Sequence, residues 1–218
     1  MFGFEKIIEF VNGLRQYNTV PQRYPPISFP SNPEKIISIP LISLPWEGVV
    51  IHHSFSKDNP DHNDWEGIRL YHMSYRIDGN SVSEAEFNRR KELGDGKKFE
   101  PAWREIGYHG GLEQDNGGPV WRWGRPWNMS GAHAGFLGNP YYNDHYLGLC
   151  ICGNYDLQPP PKEIWNLALK ITRQIVKHFN IDKSNVIGHR EVYDRVKVPR
   201  EKTCPGNLFS MDNFRNEL

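Results

Sequence analysis

The chain has 218 residues, a length that suits one domain with a sizeable hydrophobic core. Its 26 basic and 26 acidic side chains cancel, which argues against nucleic acid or an anionic membrane as a partner. Only three cysteines occur, so no disulfide framework is implied and folding in a reducing cytoplasm is expected.

The first 45 residues are predicted to form an extension that precedes the main domain. Residues 4–14 carry apolar side chains at helical spacing, which predicts a short amphipathic helix that packs on the domain or, alternatively, docks on a membrane or partner. Residues 20–33 contain five prolines and are predicted to be extended. Residues 36–44 are compatible with an edge strand, because Pro40 cannot donate a hydrogen bond to a central one.

Residues 46–218 are predicted to form the main domain, which begins with a buried strand. VVIHHS, residues 49–54, is a β-branched apolar run that ends in His52 and His53. Asp64 is a suitable N-cap for a helix that follows. A charged stretch at residues 81–99 reads as an insertion, with a short helix centred on residues 84–93.

The second half of the chain continues to alternate strands and helices. Residues 106–125 predict a hairpin with a turn at Gly117 and Gly118, and LGLCIC, residues 147–152, predicts a central strand. The two cysteines of that run are expected in the core, with metal binding as the alternative. Residues 162–179 predict a long helix and residues 186–188 a short strand. This alternation predicts an α/β fold, a single domain with a central mixed β-sheet flanked by helices.

Three residues from distant parts of the sequence indicate a metal site. His52 ends the first strand, His189 follows the last strand, and Cys204 lies fourteen residues after His189. Two imidazoles and one thiolate form the ligand set of a catalytic zinc ion with an open fourth position, whereas structural zinc sites use four ligands in tight local pairs. Because successive side chains of a strand face opposite sides, His52 and His53 are not expected to bind the same ion.

Five short motifs together resemble a known family. VVIHHS, GYH (residues 107–109), GAHAG (131–135), GHREV (188–192) and KTCP (202–205) occur in the order found in zinc-dependent N-acetylmuramoyl-L-alanine amidases. That group includes the amidase-type phage lysozymes and shares its fold with peptidoglycan recognition proteins. The resemblance runs from about residue 46 to the C-terminus and implies that His52, rather than His53, is the ligand.

The resemblance also implies roles for residues around the metal. Lys202 would stabilise an oxyanion, although a lysine in this position is otherwise a solvated surface residue. Tyr108 would orient a water molecule or move a proton, and otherwise it is a packing residue. His133 of GAHAG resembles a groove histidine that binds substrate or supports the ligands. Trp127, with its neighbours Trp121 and Trp123, would either stack on glycan or fill the core of the hairpin.

The resemblance implies hydrolysis of the amide between N-acetylmuramic acid and L-alanine of peptidoglycan, with Zn²⁺ as cofactor. The N-terminus lacks the features of a signal peptide, and no segment is long enough to span a bilayer. Together with the compact size and the lack of an appended wall-binding repeat, the missing signal peptide leads us to expect a phage endolysin made in the host cytoplasm and released by a holin. A monomer is also expected. The alternatives are a cytoplasmic amidase that recycles anhydromuropeptides and a non-catalytic peptidoglycan-binding module. Such modules lack the cysteine ligand, which this chain has at Cys204.

Overall fold

A computed structural model of the chain describes residues 37–56, 64–94, 96–135 and 139–218. The predicted helix at residues 4–14 and the proline-rich segment at residues 20–33 lie outside these residues. The described chain divides into two compact units, of which one is Glu66–Ile106 and the other combines residues 37–65 with Gly107–Leu218.

Eight strands and six α-helices make up the described chain. The strands are β1 (Gly48–His53), β2 (Tyr75–Ile77), β3 (Asn80–Val82), β4 (Phe99–Glu100), β5 (Gly110–Asp115), β6 (Gly118–Trp123), β7 (Tyr146–Ile151) and β8 (Val186–Gly188). The helices are α1 (Asp64–His72), α2 (Glu84–Leu93), α3 (Tyr141–His145), α4 (Lys162–Phe179), α5 (His189–Arg195) and α6 (Met211–Asn216).

A five-stranded mixed sheet forms the centre of the larger unit, in the order β6-β5-β7-β1-β8. Strands β5, β7, β1 and β8 run parallel, and β6 returns antiparallel to β5 as the predicted hairpin. The predicted mixed sheet with flanking helices is therefore confirmed. In a parallel arrangement the carboxyl ends of neighbouring strands meet at one edge, where open α/β sheets bind their ligands.

The two faces of the sheet are covered by different helices. Val49 and Ile51 of β1 face a large apolar cluster that includes the buried side of α4. Val50, between them, faces the opposite side and packs in a smaller cluster with Val192 of α5 and Tyr142 of α3. The alternation places His52 on the same side as Val50 and places His53 on the side of α4.

Helix α4 is the longest helix of the unit and matches its predicted bounds. Its apolar side chains recur at helical spacing, and Asn180 ends it in the left-handed conformation, with its N–H donating to the carbonyl of Val176. No helix in the described parts of the chain combines the length and apolar character needed to cross a bilayer.

The smaller unit contains a three-stranded antiparallel sheet in the order β3-β2-β4, together with α2. The predicted helix at residues 84–93 is confirmed as α2. Ser83 caps its first turn by accepting from the N–H of Glu86, and Gly94 ends it with a positive φ. The ring of Phe87 packs between this helix and the sheet.

Residues 37–44 do not form the edge strand that the sequence suggested. The N–H of Ile37 donates to the side-chain oxygen of Gln174 on α4, and the N–H of Leu44 donates to the carbonyl of Trp127. The backbone of this segment is therefore bound by a side chain and a loop rather than by a neighbouring strand, and Pro40 could not have continued a ladder.

Candidate metal centre

Three side chains converge at the carboxyl edge of the sheet. His52 is near the end of β1, and His189 begins α5 directly after β8, the strand that pairs with β1. Cys204 reaches the same place from the loop between α5 and α6. One ligand atom from each of these residues lies within 4.8 Å of the other two. The sequence predicted this set of three, and the fold brings its members together.

The spacing of the donor atoms fits a tetrahedral ion. The Nδ1 atom of His52 lies 3.6 Å from the Sγ atom of Cys204. A zinc ion with bonds of ~2.05 Å to nitrogen and ~2.3 Å to sulfur holds two such atoms ~3.5 Å apart. This pair can therefore bind one zinc ion without moving apart, and the ligand atom of His189 lies within 4.8 Å of both.

Burial determines the protonation of the three ligands. It lowers the pKa of His52 well below its usual range and lowers the pKa of His189 to about 3, so both rings are neutral near pH 7 and have a lone pair to donate. Burial also raises the pKa of Cys204 to about 12, although the backbone N–H of His53, 3.4 Å from the sulfur, opposes this shift. A bound cation would therefore convert a thiol into a thiolate.

Two charged residues that the sequence analysis did not single out hold the loop that carries Cys204. The guanidinium of Arg190 donates to the carbonyls of Thr203 and Gly206 at 3.1 and 2.5 Å. The carboxylate of Asp156 accepts from the hydroxyl of Thr203 at 2.6 Å. The position of Arg190, next to a predicted ligand in the GHREV motif, could have indicated its role. Nothing in the sequence around Asp156 indicates its partner 47 residues away.

Tyr108 and Lys202, the two predicted catalytic residues, both interact with histidines of the cluster. The ring of Tyr108 is half-buried, with its centre 5.1 Å from that of His52. Burial raises the pKa of Tyr108 well above its usual range, so its hydroxyl remains protonated at neutral pH. Lys202 is exposed, and its charge helps to lower the pKa of His189, which places the ammonium group in the field of the cluster.

His133, predicted to bind substrate or to support the ligands, is buried behind His52. Its Nδ1 atom lies 3.0 Å from the Nε2 atom of His52, and its Nε2 atom lies 3.1 Å from the carbonyl oxygen of Tyr146. Both ring nitrogens are thus engaged within the protein. The ring has no nitrogen left for a substrate, which favours the supporting role.

The prediction that Trp127 binds substrate does not agree with the structure. Its side chain is 1% exposed, and its Nε1–H donates to the carbonyl of His109 at 3.1 Å. Its ring lies against Trp123 and Phe179 in the large core cluster. An indole that is almost fully buried cannot stack on a sugar, so the structure favours the alternative of a core residue. Cys150 and Cys152 are also fully buried, as expected for core residues.

The buried ring of His109 predicts a loss of stability in acid. Burial lowers its pKa to about 4, whereas an unfolded histidine titrates near pH 6.5. The unfolded state therefore binds more protons between these values, and the contribution of the neutral ring, complete above about pH 6.5, is lost as the pH falls toward 4. We expect His109 to supply up to about 1.4 kcal/mol per pH unit to the slope of unfolding free energy in that window. Urea denaturation of wild type and His109→Asn at pH 7, 6, 5 and 4 measures this share, and equal slopes would contradict it.

Comparisons with known proteins agree with this geometry. Residues 43–207 match the family described as N-acetylmuramoyl-L-alanine amidase. The peptidoglycan-recognition protein LB of Drosophila melanogaster is 32% identical over 117 residues, which cover 53% of this chain and 44% of that protein. The chain thus matches under half the length of this curated relative.

Solved structures of the same group share the fold. A mutant of Drosophila PGRP-LB in complex with tracheal cytotoxin superposes with a TM-score of 0.50 at 25% identity, over 77% of this chain and 79% of that one. The structure of bumblebee PGRP-SA gives a TM-score of 0.52 at 22% identity, over 80% and 83% of the two chains.

Proposed function

We propose that this chain, which belongs to the N-acetylmuramoyl-L-alanine amidase family, is a zinc hydrolase that cleaves the amide between N-acetylmuramic acid and L-alanine in peptidoglycan. The observation that carries the proposal is the convergence of His52, His189 and Cys204 at the ligand-binding edge of the sheet. The relative solved with tracheal cytotoxin, a peptidoglycan fragment, supports the substrate class.

Zinc held by these three residues would supply a Lewis acid for the scissile carbonyl and a water of lowered pKa. The residues of the chain provide the rest. The neutral rings of His52 and His189 and the thiolate of Cys204 leave the site with a net charge of about +1. The N–H of His53 points at the sulfur of Cys204 and stabilises its negative charge.

Amide hydrolysis also requires stabilisation of the tetrahedral oxyanion and a proton for the departing nitrogen. The hydroxyl of Tyr108 is protonated at neutral pH and is hydrogen-bonded to the thiol of Cys150, a weak acceptor that it would exchange for either of these groups. Its raised pKa favours this donor role over that of a base. Lys202, whose charge acts on the same cluster, would stabilise the negative charge that develops on the carbonyl oxygen.

Replacing Lys202 with Met should lower kcat about 100-fold while zinc content stays unchanged, because the side chain acts on the transition state and binds no metal. Lys183→Met, at an exposed position in the short 3-10 helix Lys183–Asn185 before β8, is the matched control and should retain full activity. Steady-state kinetics on a soluble muropeptide measures both variants. A Lys202→Met enzyme with wild-type kcat would show that this lysine is only a solvated surface residue.

The products of the reaction test the function itself. The purified, zinc-loaded protein should release new amino termini from cell walls without new reducing ends, because an amidase cuts the amide and leaves the glycan intact. New reducing ends without new amino termini would instead identify a glycosidase and reject the proposal.

We also propose that the chain acts on the intact cell wall, as an endolysin does, which the likeness of its motifs to those of amidase-type phage lysozymes supports. Assays on whole sacculi and, separately, on soluble anhydromuropeptides distinguish an endolysin from a recycling amidase. An endolysin clears a suspension of sacculi, whereas a recycling amidase cleaves only the soluble fragments. Light scattering of the same sample checks the expected monomer.

A further inference from the structure

His133 connects a predicted metal ligand to the backbone of the central strand. On one side its Nδ1 atom lies 3.0 Å from the Nε2 atom of His52, and on the other its Nε2 atom lies 3.1 Å from the carbonyl oxygen of Tyr146 at the start of β7. All three groups are buried, since His52 is 1%, His133 8% and Tyr146 3% exposed. The chain of hydrogen bonds is thus shielded from water.

The carbonyl of Tyr146, at the end of this series of hydrogen bonds, determines which ring nitrogens carry a hydrogen. A carbonyl oxygen can only accept, so the Nε2 atom of His133 carries a hydrogen. In a neutral ring the Nδ1 atom then has a lone pair and accepts from the Nε2–H of His52. This leaves the lone pair of His52 on Nδ1, the atom that lies 3.6 Å from the sulfur of Cys204.

The ring of His133 has little freedom to turn away. A Cβ atom placed on Gly131 or on Gly148 would come within 2.4 Å of the ring, so these two glycines leave a slot of its width. The side-chain oxygen of Asn143 accepts from the backbone N–H groups of His133 and Ala134, both at 2.8 Å. Asn143 therefore holds the backbone at His133, while the two glycines confine its ring.

We propose that His133 is a positioning residue that keeps the proton of His52 on Nε2 and so presents Nδ1 to the metal. This inference rests on the metal site of the proposed function. Hydrogen-bond partners of this kind set the tautomer and orientation of a ligating imidazole, and their loss typically weakens metal binding 10–100-fold.

The tautomer can be observed directly in the wild-type protein. Long-range ¹H–¹⁵N NMR spectra of the metal-free protein should show both His52 and His133 with the hydrogen on Nε2. A hydrogen on the Nδ1 atom of His52 would overturn the proposal. Because this test uses the wild-type protein, it does not depend on a variant that could fail to fold.

Zinc affinity, measured by competition with a chromophoric chelator, provides the second test. His133→Ala should bind zinc 10–100-fold more weakly, and His133→Asn, whose side-chain oxygen replaces the Nδ1 acceptor, should recover most of the loss. His109→Ala is the matched control, because His109 is also fully buried but bonds to Gly148 and Met129 rather than to a ligand. It should bind zinc as the wild type does.

The NMR and zinc-affinity measurements do not depend on catalysis, so their outcomes can reject the role of His133 without rejecting the proposed function. If Cys204→Ser abolishes zinc binding and His133→Ala binds zinc as tightly as the wild type, the metal site stands and the role of His133 is rejected. If Cys204→Ser also binds zinc like the wild type, the proposed metal site itself fails. Equal losses in His133→Ala and His109→Ala would indicate a general effect of core disruption and would also reject the inference.

Discussion

Replacing Cys204 with Ser should abolish stoichiometric zinc binding and lower kcat/KM by at least about 1,000-fold. A serine hydroxyl does not ionise near neutral pH, so the site would keep two neutral imidazoles and lose its only anionic ligand. A catalytic metal supplies several kcal/mol of transition-state stabilisation, and each 1.36 kcal/mol corresponds to a factor of ten in rate. Metal analysis and kinetics on a soluble muropeptide measure the two effects.

The number of protons released when the wild type binds zinc provides an independent test of Cys204 as a thiolate ligand. In the metal-free protein the pKa of Cys204 is raised to about 12 by burial, while those of His52 and His189 are lowered. At pH 7 the thiol should therefore release about one proton per zinc, and a zinc-bound water of lowered pKa would add a fraction of a second proton. Calorimetry in buffers of different ionisation enthalpy measures this number.

The control for Cys204 is Cys152→Ala, which removes another buried thiol outside the cluster of donor atoms. It should keep its zinc and its activity, whatever it loses in stability. A Cys204→Ser protein that still binds one zinc per chain and cleaves at the wild-type rate would show that the thiolate is not a ligand.

The convergence of the three predicted ligands could be inferred from the sequence because their geometry follows from simple strand rules. A strand alternates its side chains, so only one of His52 and His53 can face a given ion. The structure places the ring of His53 on the other face, where its Nδ1 atom accepts from the N–H of Tyr155. His189 follows a short strand parallel to β1, so both residues arrive at the same edge.

Other features depend on contacts between residues that are distant in sequence. Trp127 follows a hairpin, and tryptophan is a residue type that often stacks on sugars. Only its packing against Phe179 shows that the ring is in the core. The same holds for Asp156, whose bond to Thr203 joins segments 47 positions apart. Residues 37–44 have the composition of a strand, but their partner is the side chain of Gln174 rather than another strand.

The family resemblance and the geometry answer different questions about His133. The resemblance places this histidine in the groove, where a substrate contact and a supporting role were both open. The bond to the carbonyl of Tyr146 favours the supporting role, because it occupies the nitrogen that would otherwise be available. No pattern in the sequence predicts that bond, since it depends on the exact depth at which the ring enters the slot between two glycines.

Replacing Tyr108 with Phe should lower kcat by about 100- to 10,000-fold and leave zinc affinity unchanged. The change removes one hydroxyl and keeps the ring that packs 5.1 Å from the ring of His52, so the geometry of the ligands should persist. Loss of a positioned proton donor costs this much in typical enzymes, and because the interaction forms in the transition state, kcat should fall with little change in KM. Tyr142→Phe, at a buried position in the smaller core cluster, is the matched control and should keep full activity. A Tyr108→Phe enzyme with wild-type kcat would leave the tyrosine as a packing residue, and one that loses zinc would show instead that the hydroxyl supports the ligands.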